Sequence, residues 1–363
     1  MGREFGGSGA PEGAVPGGPG AAAPDGTAPN GVPAEGAALE GVVLRKAGPG
    51  DLQGILDLAA CFPKDYLPRV LEEWVRQSPG GGLLAEGAVP AGGRRVLGFT
   101  STSFPRPGEA WFQGIRIRPD CQGRGLGLAL ARYQLEDAAA QGARVARLAV
   151  MVHNLRARRL VEERLGFTRW GRWVVVDWEP GRLRQAHRGP RPSSLEEAEA
   201  RLWLESRLAR GRKRAVRRGP GLKRTPLLIP APGQLWTLCE LGGRDLTRLL
   251  GPQSLWWRRS GRPAKGSPPL AAAALERLER PDGPWAGVCW AALPPGPQGV
   301  APAFGLIRAV AEAARGWGAR YASASLPGRR AGPLVAALST LGWRPKDEEK
   351  EWYHETYIYE FFF

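Results

Sequence analysis

Cysteine and histidine are scarce in this sequence of 363 residues, and their scarcity argues against several kinds of site. There are four cysteines and three histidines. They are scattered, without the close spacing of zinc ligands or the paired pattern of a disulfide framework. We therefore expect no metal site, and a reducing, cytoplasmic location is favoured.

Long apolar runs are missing as well. No run of about eighteen apolar residues is present, which is the length that a membrane-spanning helix needs. The N-terminus has no basic region followed by an apolar one, so it does not have the pattern of a signal peptide. The sequence predicts a protein without a membrane partner.

Glycine, proline and basic residues are abundant instead. The chain has 51 glycines, 34 prolines and a formal net charge of +16. Such a charge attracts polyanions, either a nucleic acid or an anionic cofactor. Residues 1–40 are rich in Gly, Ala and Pro and carry few large apolar side chains, so we expect a disordered tail there.

A strand, a glycine-rich turn and a helix follow one another in the first half of the chain. Glu109 to Ile117 has the β-branched character of a strand, and a helical pattern of apolar residues begins at Leu126. The first amides of a helix have no internal partner, and the helix dipole favours negative charge there. The turn and the first helical residues are Gln122, Gly123, Arg124, Gly125, Leu126 and Gly127.

Such a turn taken alone is also compatible with an ordinary connection between a strand and a helix. Its spacing fits neither a dinucleotide fingerprint nor a P-loop, since no Lys-Ser/Thr pair follows the glycines. It does match the pattern Gln/Arg-x-x-Gly-x-Gly/Ala through Gln122, Gly125 and Gly127. In this it resembles the pyrophosphate loop of the GNAT superfamily of N-acetyltransferases.

Three further features carry the resemblance. Ile117-x-Pro119 precedes the loop, Asn154 and Ala157 follow the next strand, and Leu165-Gly166-Phe167 ends the next helix. Together they cover about residues 42–180, whose predicted element order is β-α-α-β-β-β-α-β-α-β. Within this range the sequence predicts Asp51 as a helix N-cap, a helix from Asn154 to Leu165, and a closing strand from Thr168 to Trp178. The same order is found in that superfamily.

The resemblance implies a fold, a co-substrate and a set of binding residues. The fold class is α/β (α+β), with a mixed twisted sheet flanked by helices, and the co-substrate is acetyl-CoA. Backbone groups near Ile115 and Ile117 would hold the pantetheine arm, and amides of residues 122–127 the pyrophosphate. Asn154 would bond a pantetheine amide, cap a helix, or do both.

Two positions depart from the superfamily pattern. Members of the superfamily often have a tyrosine that acts as general acid in the helix after Asn154, and here that position is Val161. Many also have a glutamate base in the strand before the glycine loop, and here that position is Gln113. We therefore consider Asp65, Tyr66 and Glu109 as candidate bases, together with a water ordered by Gln113.

The C-terminal half repeats the order of short motifs in the first half. Gly142-Ala143-Arg144 corresponds to Gly318-Ala319-Arg320 and Gly166 to Gly342, at one offset (318 − 142 = 176; 342 − 166 = 176). The same offset sets Gln298-Gly299 against Gln122-Gly123. There, however, Ala301 and Ala303 replace glycines, and Pro302 lacks an amide.

We accordingly expect a tandem fold, with an intact acetyltransferase domain at 41–180 and a degenerate copy at 231–363. Coincidence in a chain rich in Ala, Gly and Arg is the alternative. Residues 181–230 contain a helix start near Ser194 and then many basic residues, among them Arg212 and Lys213. They form either a nucleic-acid patch or a solvated linker, and the lack of interleaved aromatics favours a linker.

Asp65-Tyr66-Leu67-Pro68 gives a weaker resemblance to the vertebrate histidine N-acetyltransferase branch. This favours transfer of an acetyl group to a primary amine on a small molecule such as an amino acid. A non-enzymatic acyl-CoA sensor, or a nucleic-acid-binding protein that uses the basic linker, is the alternative function.

Overall fold

A computed structural model describes most of the chain between residue 41 and residue 363. The described residues are 41–62, 67–76, 82–88, 93–182, 228–231, 234–240, 254–257, 271–280, 283–294, 296–343 and 353–363. The predicted tail at 1–40, the candidate bases Asp65 and Tyr66, and the basic stretch at 210–224 lie outside them.

The N-terminal part follows the predicted order of elements. Its strands and helices are β1 Val42–Lys46, α1 Leu52–Ala59, α2 Leu67–Arg76, β2 Gly82–Ala88, β3 Arg94–Arg106, β4 Glu109–Ile117, α3 Leu126–Ala140, β5 Val145–Met151, α4 Leu155–Arg159 and β6 Thr168–Trp178. After α4 the chain continues as one π-helical turn, Leu160–Arg164. Gly142 and Gly166 follow the two helices that flank β5. Both glycines adopt the left-handed conformation, at φ 82° and 72°, in which a glycine commonly ends a helix.

The C-terminal part is built mainly from strands. Its elements are β7 Leu228–Ala231, β8 Gln234–Glu240, β9 Ser254–Trp257, β10 Ala271–Arg280, β11 Gly283–Ala292, α5 Val300–Trp317, β12 Tyr321–Pro327, α6 Gly328–Thr340 and β13 Tyr353–Phe362. β7 and β8 form an antiparallel hairpin apart from the main sheet.

Within the part of the chain that the structure describes, the main sheet has eleven strands in the order β1-β2-β3-β4-β5-β13-β6-β12-β11-β10-β9. The last strand of the chain therefore lies between β5 and β6, antiparallel to both. β6, predicted as the closing strand of the first domain, has β13 on one side and β12 on the other. One sheet thus runs through residues from both predicted domains.

The two parts of the chain build matching halves of this sheet. Residues 109–112 of β4 pair in parallel with residues 145–148 of β5, and residues 285–288 of β11 with residues 321–324 of β12. The partners differ by one offset (285 − 109 = 176; 321 − 145 = 176), the offset that relates the short sequence motifs. The halves meet where β13 and β6 pair.

The two faces of the sheet are covered differently. Ala110 and Phe112 of β4 pack with α3, so the intervening Trp111 points to the opposite face. On that face Trp111 packs with Trp173 and with Leu238 of β8, which is only 2% exposed. The face opposite α3, here called the hairpin face, is therefore shielded in part by β8.

Candidate functional site

The ends of β4 and β5 separate from each other. Their pairing extends to Phe112 and Leu148, whereas β4 continues to Ile117 and β5 to Met151, all within described residues. Gly114 stands in the left-handed region at φ 71°, and the register between β3 and β4 shifts by one residue there. A bulge of this kind bends a strand away from its neighbour. It explains the gap that opens between the two parallel strands.

A buried polar network holds the bulge in place. The side-chain amide of Gln134 in α3 donates to the Ser101 carbonyl at 2.8 Å and lies 3.0 Å from the Thr102 hydroxyl. The Thr100 hydroxyl lies 3.1 Å from Gln134 Oε1 and 3.2 Å from the Gln113 carbonyl. Of these residues, sequence reasoning singled out Gln113 but not Gln134 or residues 100–102. The sequence feature that could have indicated the network is Gln134, a glutamine on the otherwise apolar face of α3.

The predicted glycine loop connects β4 to α3 and is open to the outside. Gly123 and Gly125 have φ values of 82° and 83°, and a Cβ atom built on either would meet no heavy atom within 4 Å. Leu128 and Ala129 donate their amides to the Gly125 carbonyl. The earlier amides of the turn, those of Leu126 and Gly127, have no carbonyl partner inside the helix. The loop suits a bulky anion.

Gln122 links this loop to the helix on the other side of the gap. Its amide nitrogen donates to the Ile117 carbonyl at 3.0 Å, and its Oε1 accepts from Arg156 Nη1 at 2.5 Å. Asn154 caps α4 by accepting from the Ala157 amide at 3.0 Å, so the capping role considered for it is present. Arg156 was not predicted as a site residue. It adds a second exposed cation beside Arg124.

The predicted catalytic residues fall at different places. Gln113 lies directly before the bulge. Glu109 lies at the opposite end of β4 from the glycine loop, and its carboxylate accepts from buried Arg147 at 2.6 Å. The structure therefore brings Gln113, but not Glu109, to the gap.

Neither Val161 nor Cys121 provides acid or nucleophilic chemistry. Val161 is buried in the core beneath α3, together with Tyr359 of β13. The Tyr359 hydroxyl donates to Glu162 at 2.5 Å. Burial is the larger cause that raises the pKa of this phenol, and the bond to Glu162 is the second. Burial and the adjacent Asp120 likewise raise the pKa of the Cys121 thiol, which disfavours the reactive thiolate.

Within the described residues, no three His, Cys, Asp or Glu side chains cluster closely enough to hold a metal ion. None of the helices in the described part of the chain has the length and apolar character that a membrane crossing needs.

Comparisons with known proteins agree with this geometry. Residues 54–167 match the model of the acetyltransferase (GNAT) family. The structure is similar to a GCN5-related N-acetyltransferase from Sphaerobacter thermophilus, with a TM-score of 0.51 and 16% identity over 89% of this chain and 96% of that one. For a GCN5-related N-acetyltransferase from Kribbella flavida the TM-score is 0.39, at 15% identity over 88% of this chain and 70% of that one.

A search of curated proteins finds no match to the sequence. The matched segment contains β4, the open glycine loop and the bulge, which are the parts of the site described above. The family match thus covers these parts of the site, and together the comparisons indicate an N-acetyltransferase.

Proposed function

We propose that this enzyme transfers the acetyl group of acetyl-CoA to the primary amine of a small molecule such as an amino acid. The observation that carries the proposal is the open glycine loop beside the gap between β4 and β5. The preference for an amino acid rests on the resemblance of residues 65–68 to the histidine N-acetyltransferase branch.

The residues at the loop fit the co-substrate. Gly123 and Gly125 leave room for a diphosphate against the backbone, and the α3 dipole with Arg124 supplies positive potential. Backbone groups of Ile115 and Ile117, in the part of β4 that has left β5, would hold the pantetheine arm. Asn154 would stand at the far side of the gap. When bound, acetyl-CoA supplies an acetyl group activated as a thioester.

The chain contributes orientation and proton transfer. Backbone groups of β4 beside the bulge at Gly114 would stabilise a developing oxyanion, if the bulge directs them into the gap as we propose. An amine attacks only in its neutral form, so a proton must be removed from the ammonium. Because Glu109 is held by Arg147 away from the gap, we retain Asp65, Tyr66 and a water ordered by Gln113 as bases.

We further propose that the C-terminal part is a degenerate second copy that binds no acetyl-CoA. The matching halves of the sheet support the duplication. Gly299 precedes α5 where Gly123 precedes α3, but a Cβ atom there would overlap the Pro294 carbonyl and lie 2.7 Å from the Pro333 ring. The cradle that is open in the first copy is thus filled in the second.

A small acceptor is favoured by the hairpin. Leu238 covers Trp111 and Trp173 on the hairpin face, and β8 contacts β3, β4 and β12. An extended peptide laid across β4 and β6 on this face would collide with β8. A small molecule beside the gap would not.

The test compares two glutamates introduced at the ends of one helix. Gly125→Glu puts a carboxylate where the pyrophosphate would bind, whereas Gly142→Glu puts one at the far end of α3, at nearly the same φ (83° and 82°). We expect calorimetry to show loss of CoA binding only in Gly125→Glu, and acetylation of an amine panel to disappear with it. Equal CoA affinity in the two variants would contradict the assignment.

A further inference from the structure

Arg116 points to the hairpin face at the end of β4. Its neighbour Ile117 packs with Cys121 and Leu126 on the α3 side, so alternation along the strand turns Arg116 the other way. There its guanidinium carbon lies 5.8 Å from the centre of the Phe62 ring. Phe62 lies three residues after the end of α1 and packs against the core beneath α1 and α2.

The guanidinium is drawn back towards the bulge. Its Nη1 donates to the carbonyl of Ile115 at 3.0 Å, and the side chain is half-buried. A guanidinium has five N–H donors in a fixed fork. An arginine stacked on an aromatic ring is also well suited to hold a carboxylate with two parallel bonds.

We propose that Arg116 binds a carboxylate of the acceptor and thereby selects amino acids over amines that lack this group. The proposal rests on the proposed function, since it concerns the acceptor side of the same gap. The glycine loop and Ile117 lie towards α3, so the charge of Arg116 faces away from the groups that would hold the pyrophosphate. Arg116 would thus determine the specificity of the enzyme for its acceptor.

Phe62 and the bulge position the charge. The Ile115 carbonyl accepts from Arg116 two residues after Gln113, so the guanidinium stands beside the point where β4 leaves β5. An α-amino acid has its amine and carboxylate on one carbon. A group that fixes the carboxylate therefore also places the amine close to the gap, as orientation by a bidentate arginine does.

The experiment measures binding and turnover separately. The twenty common amino acids are titrated into the CoA-loaded protein by calorimetry, and the best binder is compared with its amide and its decarboxylated amine. We expect the carboxylate form to bind at least about tenfold more tightly than either. Arg116→Gln should abolish this ratio, and Arg116→Lys should restore part of it, because lysine keeps the charge without the fork.

Arg94→Gln serves as the matched control, since Arg94 is an exposed cation of β3 that pairs with Glu86. It should leave both the ratio and the turnover unchanged. In Arg116→Gln the CoA affinity should also persist, and KM for the amino acid should rise more than kcat falls. A purely structural role for Arg116 would not remove the preference for the carboxylate selectively.

Three results would overturn the proposal. They are equal binding of the acid, the amide and the amine by the unmodified protein, no binding of any amino acid, and an unchanged ratio in Arg116→Gln. Failure of the proposed function is a different result, namely no CoA binding or no acetylation of any amine in the panel. Acetylation of simple amines as fast as of amino acids would overturn the role of Arg116 and leave the proposed function standing.

Discussion

Arg147 Nε donates to Glu360 Oε1 at 2.6 Å and so joins β5 to the last strand of the chain, 213 residues away. The same guanidinium bonds Glu109 of β4 at 2.6 Å. The Arg147 side chain is 2% exposed, and those of Glu360 and Glu109 are 7% and 13% exposed. One buried cation therefore bridges two carboxylates that belong to different parts of the sheet.

The first prediction concerns this buried charge cluster. Arg147→Ala removes the buried cation that both carboxylates share, so we expect the free energy of unfolding to fall by about 3–5 kcal/mol. Urea denaturation followed by circular dichroism measures this. Arg277→Ala breaks an exposed pair with Glu279 and should cost less than about 1 kcal/mol. Equal losses of unfolding free energy in the two variants would show that the buried cluster stabilises the fold no more than an exposed ion pair does.

The local elements of the site could be predicted from the sequence. The bounds found for β4 and β6 are those expected, because alternation, glycine and proline act over a few residues. The glycine loop could likewise be predicted, since Gly123 and Gly125 are needed where φ is positive.

The neighbour of β13 could not be predicted. Its alternating aromatics show that the segment is a strand, but they do not say which strands it joins. Pairing with β5 and β6 depends on contacts between distant residues, such as Arg147 with Glu360. The bulge was missed for the same reason, since its support by Gln134 is tertiary.

Two local predictions were confirmed in position, but the structure differs from them in hydrogen bonding. Asp51 precedes α1, but its carboxylate accepts from Arg45 and from the Gly48 amide and makes no capping bond to that helix. The helix expected to run from Asn154 to Leu165 is α-helical only to Arg159 and then forms a π-helical turn. A change from α to π hydrogen bonding leaves little mark on the pattern of apolar residues.

The second prediction concerns stoichiometry. Calorimetric titration with CoA should give one site per chain, because Pro294 and Pro333 fill the space beside Gly299. Gly125→Glu should then reduce the stoichiometry to zero rather than to one. Two sites in the unmodified protein, or one remaining in the variant, would contradict the proposal that the second copy is degenerate.

The third prediction concerns stability at acid pH. Hydrogen bonds from Arg45 and, less strongly, from the Gly48 amide lower the pKa of Asp51 below its ordinary value of 3.8. A lowered pKa in the folded state gives stability that is present above the unfolded value and is lost as pH falls through the folded one. Asp51→Asn should therefore destabilise the protein at pH 7, by about 1 kcal/mol or less because Arg45 is partly exposed.

Denaturation curves at pH 7 and at about pH 3 measure this difference. The difference in unfolding free energy between the unmodified protein and Asp51→Asn should be smaller at the lower pH. The matched control is Asp120→Asn, since Asp120 forms an exposed pair with Arg95, and it should change stability little at either pH. If the loss of unfolding free energy in Asp51→Asn is the same at both pH values, the contribution of Asp51 is not ionic.

The last prediction concerns proton transfer during turnover. Val161 cannot protonate a thiolate and Gln113 cannot accept a proton, but a thiol has a pKa of about 8.5, so its anion leaves readily without a dedicated acid. Removal of the ammonium proton matters more, because the amine of an amino acid is mostly protonated at pH 7. We therefore expect kcat/KM to rise with pH up to the pKa of the acceptor amine.

Two carboxylate variants separate the remaining candidates in the same experiment. Glu109→Gln leaves Arg147 bonded to Glu360, so we expect some loss of stability but an unchanged pH profile per folded molecule. Asp65→Asn should lower turnover if Asp65 is the base, and Val161→Tyr should change the rate little. A limb in the unmodified profile with an apparent pKa of about 6 to 7 that persists in both carboxylate variants would place the base on neither Asp65 nor Glu109.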